Sequence, residues 1–146
     1  MESSTLSLKK ILIPVDGSKS SEKAYHYGLK LAAPFGAELI LLYVVDVNES
    51  IYPIFRVGID QTQFANVKQE GEALVDRLAA EAGQIPVKEL VEIGLPGSAI
   101  CQYAKNLEVD MIIMGNSGKG AVSSFVMGSV SQYVIHHTKI PVLILK

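Results

Sequence analysis

The apolar positions of this chain alternate between two patterns. Lys10-Ile-Leu-Ile-Pro-Val15 and Leu39–Val45 are nearly unbroken apolar runs, which suits strands buried on both faces of a parallel sheet. Between them, Ala24, Gly28, Leu31, Ala32 and Phe35 recur at helical spacing, with Ser18 placed as an N-cap and Gly36 as a C-terminal stop. A second helix is predicted from Phe64, Val67, Gly71, Leu74, Val75, Leu78 and Ala82, ended by Gly83. Val87-Lys-Glu-Leu-Val-Glu-Ile93 alternates and is half polar, so it reads as a strand nearer an edge. Gly94-Leu-Pro-Gly-Ser98 turns into a third helix running to about Asn106. Val109–Met114, a fourth helix and Pro141–Leu145 complete the pattern.

Strands that alternate with helices predict an α/β fold: one domain, an open five-stranded parallel sheet, helices on both faces and right-handed crossovers. Ligands of such sheets bind beyond the carboxyl ends of the strands, where strand order reverses. Residues 1–8 are polar and are expected as a disordered tail before a domain at 9–146. The irregular stretch 46–63, with Pro53 and Gly58, is the connection long enough to act as a lid or to bind a partner.

Composition narrows the function classes. The 146 residues carry a formal net charge of −2 with scattered lysines, so a nucleic-acid surface is not expected. The single cysteine, Cys101, rules out an internal disulfide framework. The N-terminus lacks the apolar segment of a signal peptide, and both long apolar runs are far shorter than the roughly 20 residues of a membrane helix. A cytoplasmic protein without membrane contact is expected.

Candidate chemistry concentrates at residues 115–131, Gly-Asn-Ser-Gly-Lys-Gly-Ala-Val-Ser-Ser-Phe-Val-Met-Gly-Ser-Val-Ser. A strand that ends in a small-residue loop before a helix N-terminus can hold an anion on its backbone N–H groups. A P-loop is excluded, because Lys119 lies between Gly118 and Gly120 and no Gly-Lys-Ser/Thr triplet exists. Gly118-Lys-Gly120-Ala-Val-Ser123 matches a dinucleotide fingerprint only in part and follows the fourth strand rather than the first. No Gly-x-Ser-x-Gly elbow, Cys-x-x-Cys pair or His-Glu-x-x-His is present.

Gly115, Gly118, Gly128 and Ser129 form Gly-x2-Gly-x9-Gly-Ser, which resembles the nucleotide signature of the universal stress protein family. Ile11-Leu-Ile-Pro-Val-Asp-Gly-Ser18, Leu41-Leu-Tyr-Val-Val45, Gly94-Leu-Pro-Gly97 and Val130–Leu145 resemble further segments of that family, so the likeness spans residues 9–146. Where the family often has a histidine, this chain has Tyr43. The resemblance implies an adenine nucleotide α-hydrolase-like fold with strand order 3-2-1-4-5. It also implies a stress-response or signalling protein that binds ATP with Mg2+ (or Mn2+) and dimerises through Pro141–Leu145.

By the same resemblance, Pro14, Val15, Val44 and Met114 line the adenine slot, and Asp16 contacts the ribose or a phosphate-bound metal. Gly115, Asn116, Ser117, Gly118, Lys119, Gly120 and Ala121 cradle the phosphates, with Gly128, Ser129, Val130 and Ser131 at the helix start. Two of these residues have structural alternatives. Asp16 suits an Asx turn over Gly17-Ser18, and Ser129-Val-Ser-Gln132 is a capping-box pattern. Gly115 and Gly118 are expected to allow close backbone approach and positive φ.

Other tempting residues are expected to be structural. His136 and His137 are adjacent, hence about 100° apart on a helix and poor co-ligands for one metal. His26 and Cys101 have no partner at a suggestive spacing. No base or arginine beside the glycine loop supports fast hydrolysis, so turnover is expected to be slow or absent. The alternatives are a slow ATP hydrolase and a dimeric interaction module without nucleotide. A related enzyme group that cuts ATP between its α and β phosphates carries Ser-Gly-Gly-x-Asp-Ser after strand one, where this chain reads Val15-Asp-Gly-Ser-Lys-Ser20.

Overall fold

The apolar runs become the central strands. In the computed structural model, which describes residues 6–48, 61–117 and 127–146 (side chains from 65 in the second stretch), the strands are β1 (Lys10–Pro14), β2 (Glu38–Asp46), β3 (Val87–Gly94), β4 (Met111–Gly115) and β5 (Val142–Leu145). All pairings are parallel, in the order β3-β2-β1-β4-β5. Chain order reverses at β1, whose neighbours are β2 and β4. The crevice expected of the fold lies beyond their carboxyl ends.

Among the described residues, four helices cover the sheet: α1 (Lys19–Phe35), α2 (Gln61–Ala79, extended by a tight turn at Ala80–Ala82), α3 (Pro96–Asn106) and α4 (Ser129–His137). α1 and α2 bury Tyr25, Ala32, Val75 and Leu78 against Ile11, Ile13, Leu39, Leu41 and Ile113. α3 and α4 bury Ile100, Ala104 and Val134 against Leu12, Ile40, Leu42, Ile112 and Met114. Successive strand residues therefore feed opposite layers, which is why the central runs carry no polar alternation. The Tyr25 hydroxyl donates to Leu78 O at 2.7 Å and ties α1 to α2 within the first layer.

The helix limits follow the expected signals. Ser18 caps α1 by accepting from Ser21 N, and Gly36 closes it in the left-handed conformation at φ 64°. β3 is an edge strand, with Lys88 and Glu89 exposed.

Three expectations are corrected. Phe35 is 43% exposed rather than core-facing, because it is the last residue of α1. The fourth strand starts at Met111, not Val109: Glu108 is left-handed (φ 53°), and Val109 N still donates back to Ala104 O. Leu8, expected within the tail, is buried in the α1/α2 layer. The Phe64 side chain and residues 49–60 of the expected lid lie outside the described residues. Among the described residues, no helix is long and apolar enough to cross a membrane.

Candidate functional site

β1 ends in a tightly bonded turn. Val15 N donates to Leu42 O at 2.9 Å, and Gly17 then turns the chain at φ 87°. Ser18 N donates to Asp16 Oδ1 at 2.9 Å, which is the Asx turn expected of Asp16. Asp16 N donates to Ser21 Oγ (3.3 Å), and Ser21 Oγ donates to Ser18 O (3.0 Å). These bonds hold the half-buried Asp16 at the carboxyl end of β1, beside the first turn of α1.

The end of β4 is bonded on two sides. Asn116 N donates to Leu145 O at 3.0 Å, and Asn116 O accepts from Gly128 N at 2.7 Å. The second bond brings Gly128 and the start of α4 against Asn116, next to Gly115. Ser131 is buried, and its hydroxyl donates to Gly115 O at 2.9 Å. Gly118, Lys119, Gly120 and Ala121 lie outside the described residues.

The structure revises how several of these residues work. Among the described residues, the positive-φ glycines are Gly17, Gly36 and Gly83, so Gly115 and Gly128 do not use left-handed backbone. Gly115 serves close approach instead: a Cβ there would overlap Ser20 Oγ and lie 2.8 Å from the Ser20 backbone carbon. The capping box at Ser129 does not form. Gly128 is the N-cap (φ −63°, ψ 156°), its carbonyl accepts from Gln132 N, and Ser129 is the exposed first helical residue. Gln132 Nε2 donates to Met127 O instead. The one hydroxyl proton of Ser131 is directed inward to Gly115, not outward to a ligand.

The residues expected around an adenine slot divide between the two layers. Val44 and Met114 pack with the α3/α4 layer, whereas Val15 is buried in the α1/α2 layer. What Val15 can offer the crevice is therefore backbone. Pro14 is half-buried at the last position of β1. Along β2, Glu38 N donates to Lys9 O and Leu42 O accepts from Val15 N, so even-numbered residues turn their backbone groups toward β1. β1 stops at Pro14, so Val44 turns its N–H and C=O toward the crevice beyond that strand.

Tyr43 faces the opposite layer, against Gly71 of α2, where a Cβ would lie 2.7 Å from the ring Cε1. Burial, then Glu70 and then Asp16, push its phenol above the ordinary tyrosine value.

The family model described as the universal stress protein family matches residues 7–146. The chain belongs to the universal stress protein family. A universal stress protein of Methanocaldococcus jannaschii is 36% identical over 141 residues, covering 94% of this chain and 82% of that protein. The solved structure used to assign a biochemical function to the hypothetical protein MJ0577 has a TM-score of 0.85 at 29% identity and covers 97% of both chains. A universal stress protein crystallised in complex with cAMP has a TM-score of 0.65 at 26% identity, covering 96% of this chain and 98% of that one.

In this universal stress protein, sequence reasoning missed Ser20 and Ser21, which stand between the Asp16 turn and the end of β4. Their signal was the serine-rich first turn after Asp16-Gly17, read only for its cap. Among the described residues, no group of three or more His, Cys, Asp or Glu side chains could hold a metal ion by itself. His137 stacks on Tyr133 (centroids 3.8 Å apart), and its Nδ1 lies 2.8 Å from Tyr133 O. Burial pushes the Cys101 thiol up, which disfavours the nucleophilic thiolate.

Proposed function

We propose that this universal stress protein binds ATP with Mg2+ at the carboxyl ends of β1, β2 and β4, and acts in the cytoplasm as a dimeric stress-response or signalling protein. The observation that carries the reading is the closure of Gly128 N onto Asn116 O. It sets Gly128 and the N-terminus of α4 against the end of β4, next to the switch point where such sheets take ligands. The relative crystallised with cAMP supports an adenine nucleotide as the ligand class.

The donor set fits the ligand. Val44 presents a backbone N–H and C=O, the pair of groups that reads the edge of an adenine ring. Ser129 is exposed at the first turn of α4, where a phosphate gains from the helix dipole. Asp16 supplies one carboxylate, which suits Mg2+, an ion usually held by one or two carboxylates together with phosphates and water. Bound Mg2+ would offset the phosphate charge. Lys119 and the glycines at 118 and 120 complete the phosphate cradle in this reading. Hydrolysis, where it occurs, is slow and yields ADP.

The dimer forms through β5, an edge strand whose four side chains are all partly exposed. An apolar edge strand of this kind invites pairing. Sedimentation should give a dimer, and Ile144→Lys should give a folded monomer; a wild type that sediments as a monomer contradicts the dimer.

The test of binding is a thermal melt with and without Mg-ATP. At one hundred times its Kd, the ligand adds about 2.7 kcal/mol and raises Tm by several degrees. An unchanged Tm at millimolar Mg-ATP contradicts the proposal.

A further inference from the structure

The first turn of α1 is joined to both halves of the crevice. On one side, Asp16 N donates to Ser21 Oγ. On the other, Ser117 N points to Ser20 Oγ at 3.5 Å, a long contact. A second observation fixes the same side chain in place: Gly115 has no Cβ at the spot where Ser20 Oγ sits, and any larger residue would displace it. Ser20 thus fills a gap left for it at the end of β4, where Gly115 O and the Asn116 backbone are already bonded to Ser131, Leu145 and Gly128.

We infer that Ser20 is a positioning residue that holds the start of the phosphate loop in register with the Asp16 turn. The inference rests on the nucleotide reading above and deepens it. Ser20 need not touch the ligand. Its hydroxyl fixes the direction of the Ser117 amide relative to the Asp16 turn, which the neighbouring Ser21 holds. In the nucleotide reading, Asp16 serves the ribose and metal end of the ligand, and the Ser117 amide serves the phosphate end. A dipeptide bonded to both sets the spacing between them. Loss of the hydroxyl should weaken ligands in proportion to their phosphates and leave the nucleoside part unaffected. A residue that merely stabilised the fold would weaken all ligands alike.

The test compares wild type with Ser20→Ala in two measurements on the full chain. In the first, calorimetry gives Kd for Mg-ATP and for adenosine. The expected result is a five- to tenfold loss of Mg-ATP affinity with adenosine affinity unchanged. In the second, amide hydrogen exchange without ligand is read at Ser117, where at least fivefold faster exchange is expected while strand amides of β1 and β4 keep their protection. Ser20→Thr, which keeps the hydroxyl, should recover most of the Mg-ATP affinity. Equal loss for both ligands, or unchanged exchange at Ser117, overturns the assignment. A wild type that binds neither ligand overturns the nucleotide reading itself; exchange at Ser117 then decides alone whether Ser20 holds the loop.

Discussion

The backbone N–H of Gly128 donates to the carbonyl of Asn116 across 2.7 Å, although 11 intervening residues separate them in the chain. Asn116 N in turn donates to Leu145 O. One residue at the end of β4 thus bonds the start of α4 and the end of β5. These bonds bring Gly115 and Gly128 of the glycine signature together, and neither of the two adopts a positive φ.

Replacing Gly115 by alanine should destabilise the protein by about 1–3 kcal/mol, the usual cost of forcing extra atoms into a packed site. The new methyl group would meet Ser20. Urea denaturation measures the loss. Ser20→Gly in the same chain should recover only part of it, since the Ser20 backbone carbon remains 2.8 Å from the added atom.

Ser131 and Ser129 should behave differently although they are two residues apart. Ser131→Ala leaves the Gly115 carbonyl without its side-chain donor in a buried place, at a cost of about 1–3 kcal/mol. Ser129→Ala removes an exposed hydroxyl that caps nothing, so stability should change by less than about 0.5 kcal/mol. Its Mg-ATP affinity should nonetheless fall severalfold. Equal melting temperatures for the two variants would contradict the bonding described for Ser131.

Much of this fold was legible because its determinants are local. Unbroken apolar runs marked β1, β2 and β4, the alternation of Val87–Ile93 marked an edge, and Ser18 and Gly36 marked both ends of α1. The glycine spacing marked the candidate site. Its bonding was not legible, because each decisive contact joins residues far apart in sequence: Ser20 with Gly115 and Ser117, Leu145 with Asn116, and Tyr43 with Gly71. The capping box misled for a local reason. Ser-x-x-Gln fits the pattern, but Gly128 takes the cap position one residue earlier.

Alkaline pH offers a test of the α1/α2 contact. Tyr25 is pushed up to about 12 by burial, with further contributions from Glu81 and Glu89. Its folded value lies above the ordinary one near 10, so its contribution to stability is complete below about pH 10 and is lost as pH rises through about 12. Tyr25→Phe should cost about 1 kcal/mol at neutral pH, from the lost bond to Leu78 O. It should also flatten the decline of stability between pH 10 and 12. A decline as steep as in wild type would show that other groups cause it.

A groove between α2 and β3 holds Lys68, Glu72, Asp76 and Glu89. A hydrogen bond with Asp76, then burial, then the Asp76 charge hold the Glu89 carboxyl above its usual range. The folded state therefore keeps this proton better than the unfolded one. The stabilisation is present at low pH and is lost as pH rises through the raised value. Glu89→Gln, which supplies a permanent donor, should raise Tm slightly at pH 7 and leave it unchanged near pH 4. A lower Tm at pH 7 would contradict the shared proton.

The central claim is that the end of β4, the start of α4 and the Asp16 turn form one nucleotide site. A crystal structure of the protein grown with millimolar Mg-ATP tests it most directly. The account predicts one ATP per chain, with its base edge on the Val44 backbone, its phosphates between Ser117 and Ser129, and Mg2+ beside Asp16. An empty crevice at that concentration, or ATP bound elsewhere on the chain, would contradict it.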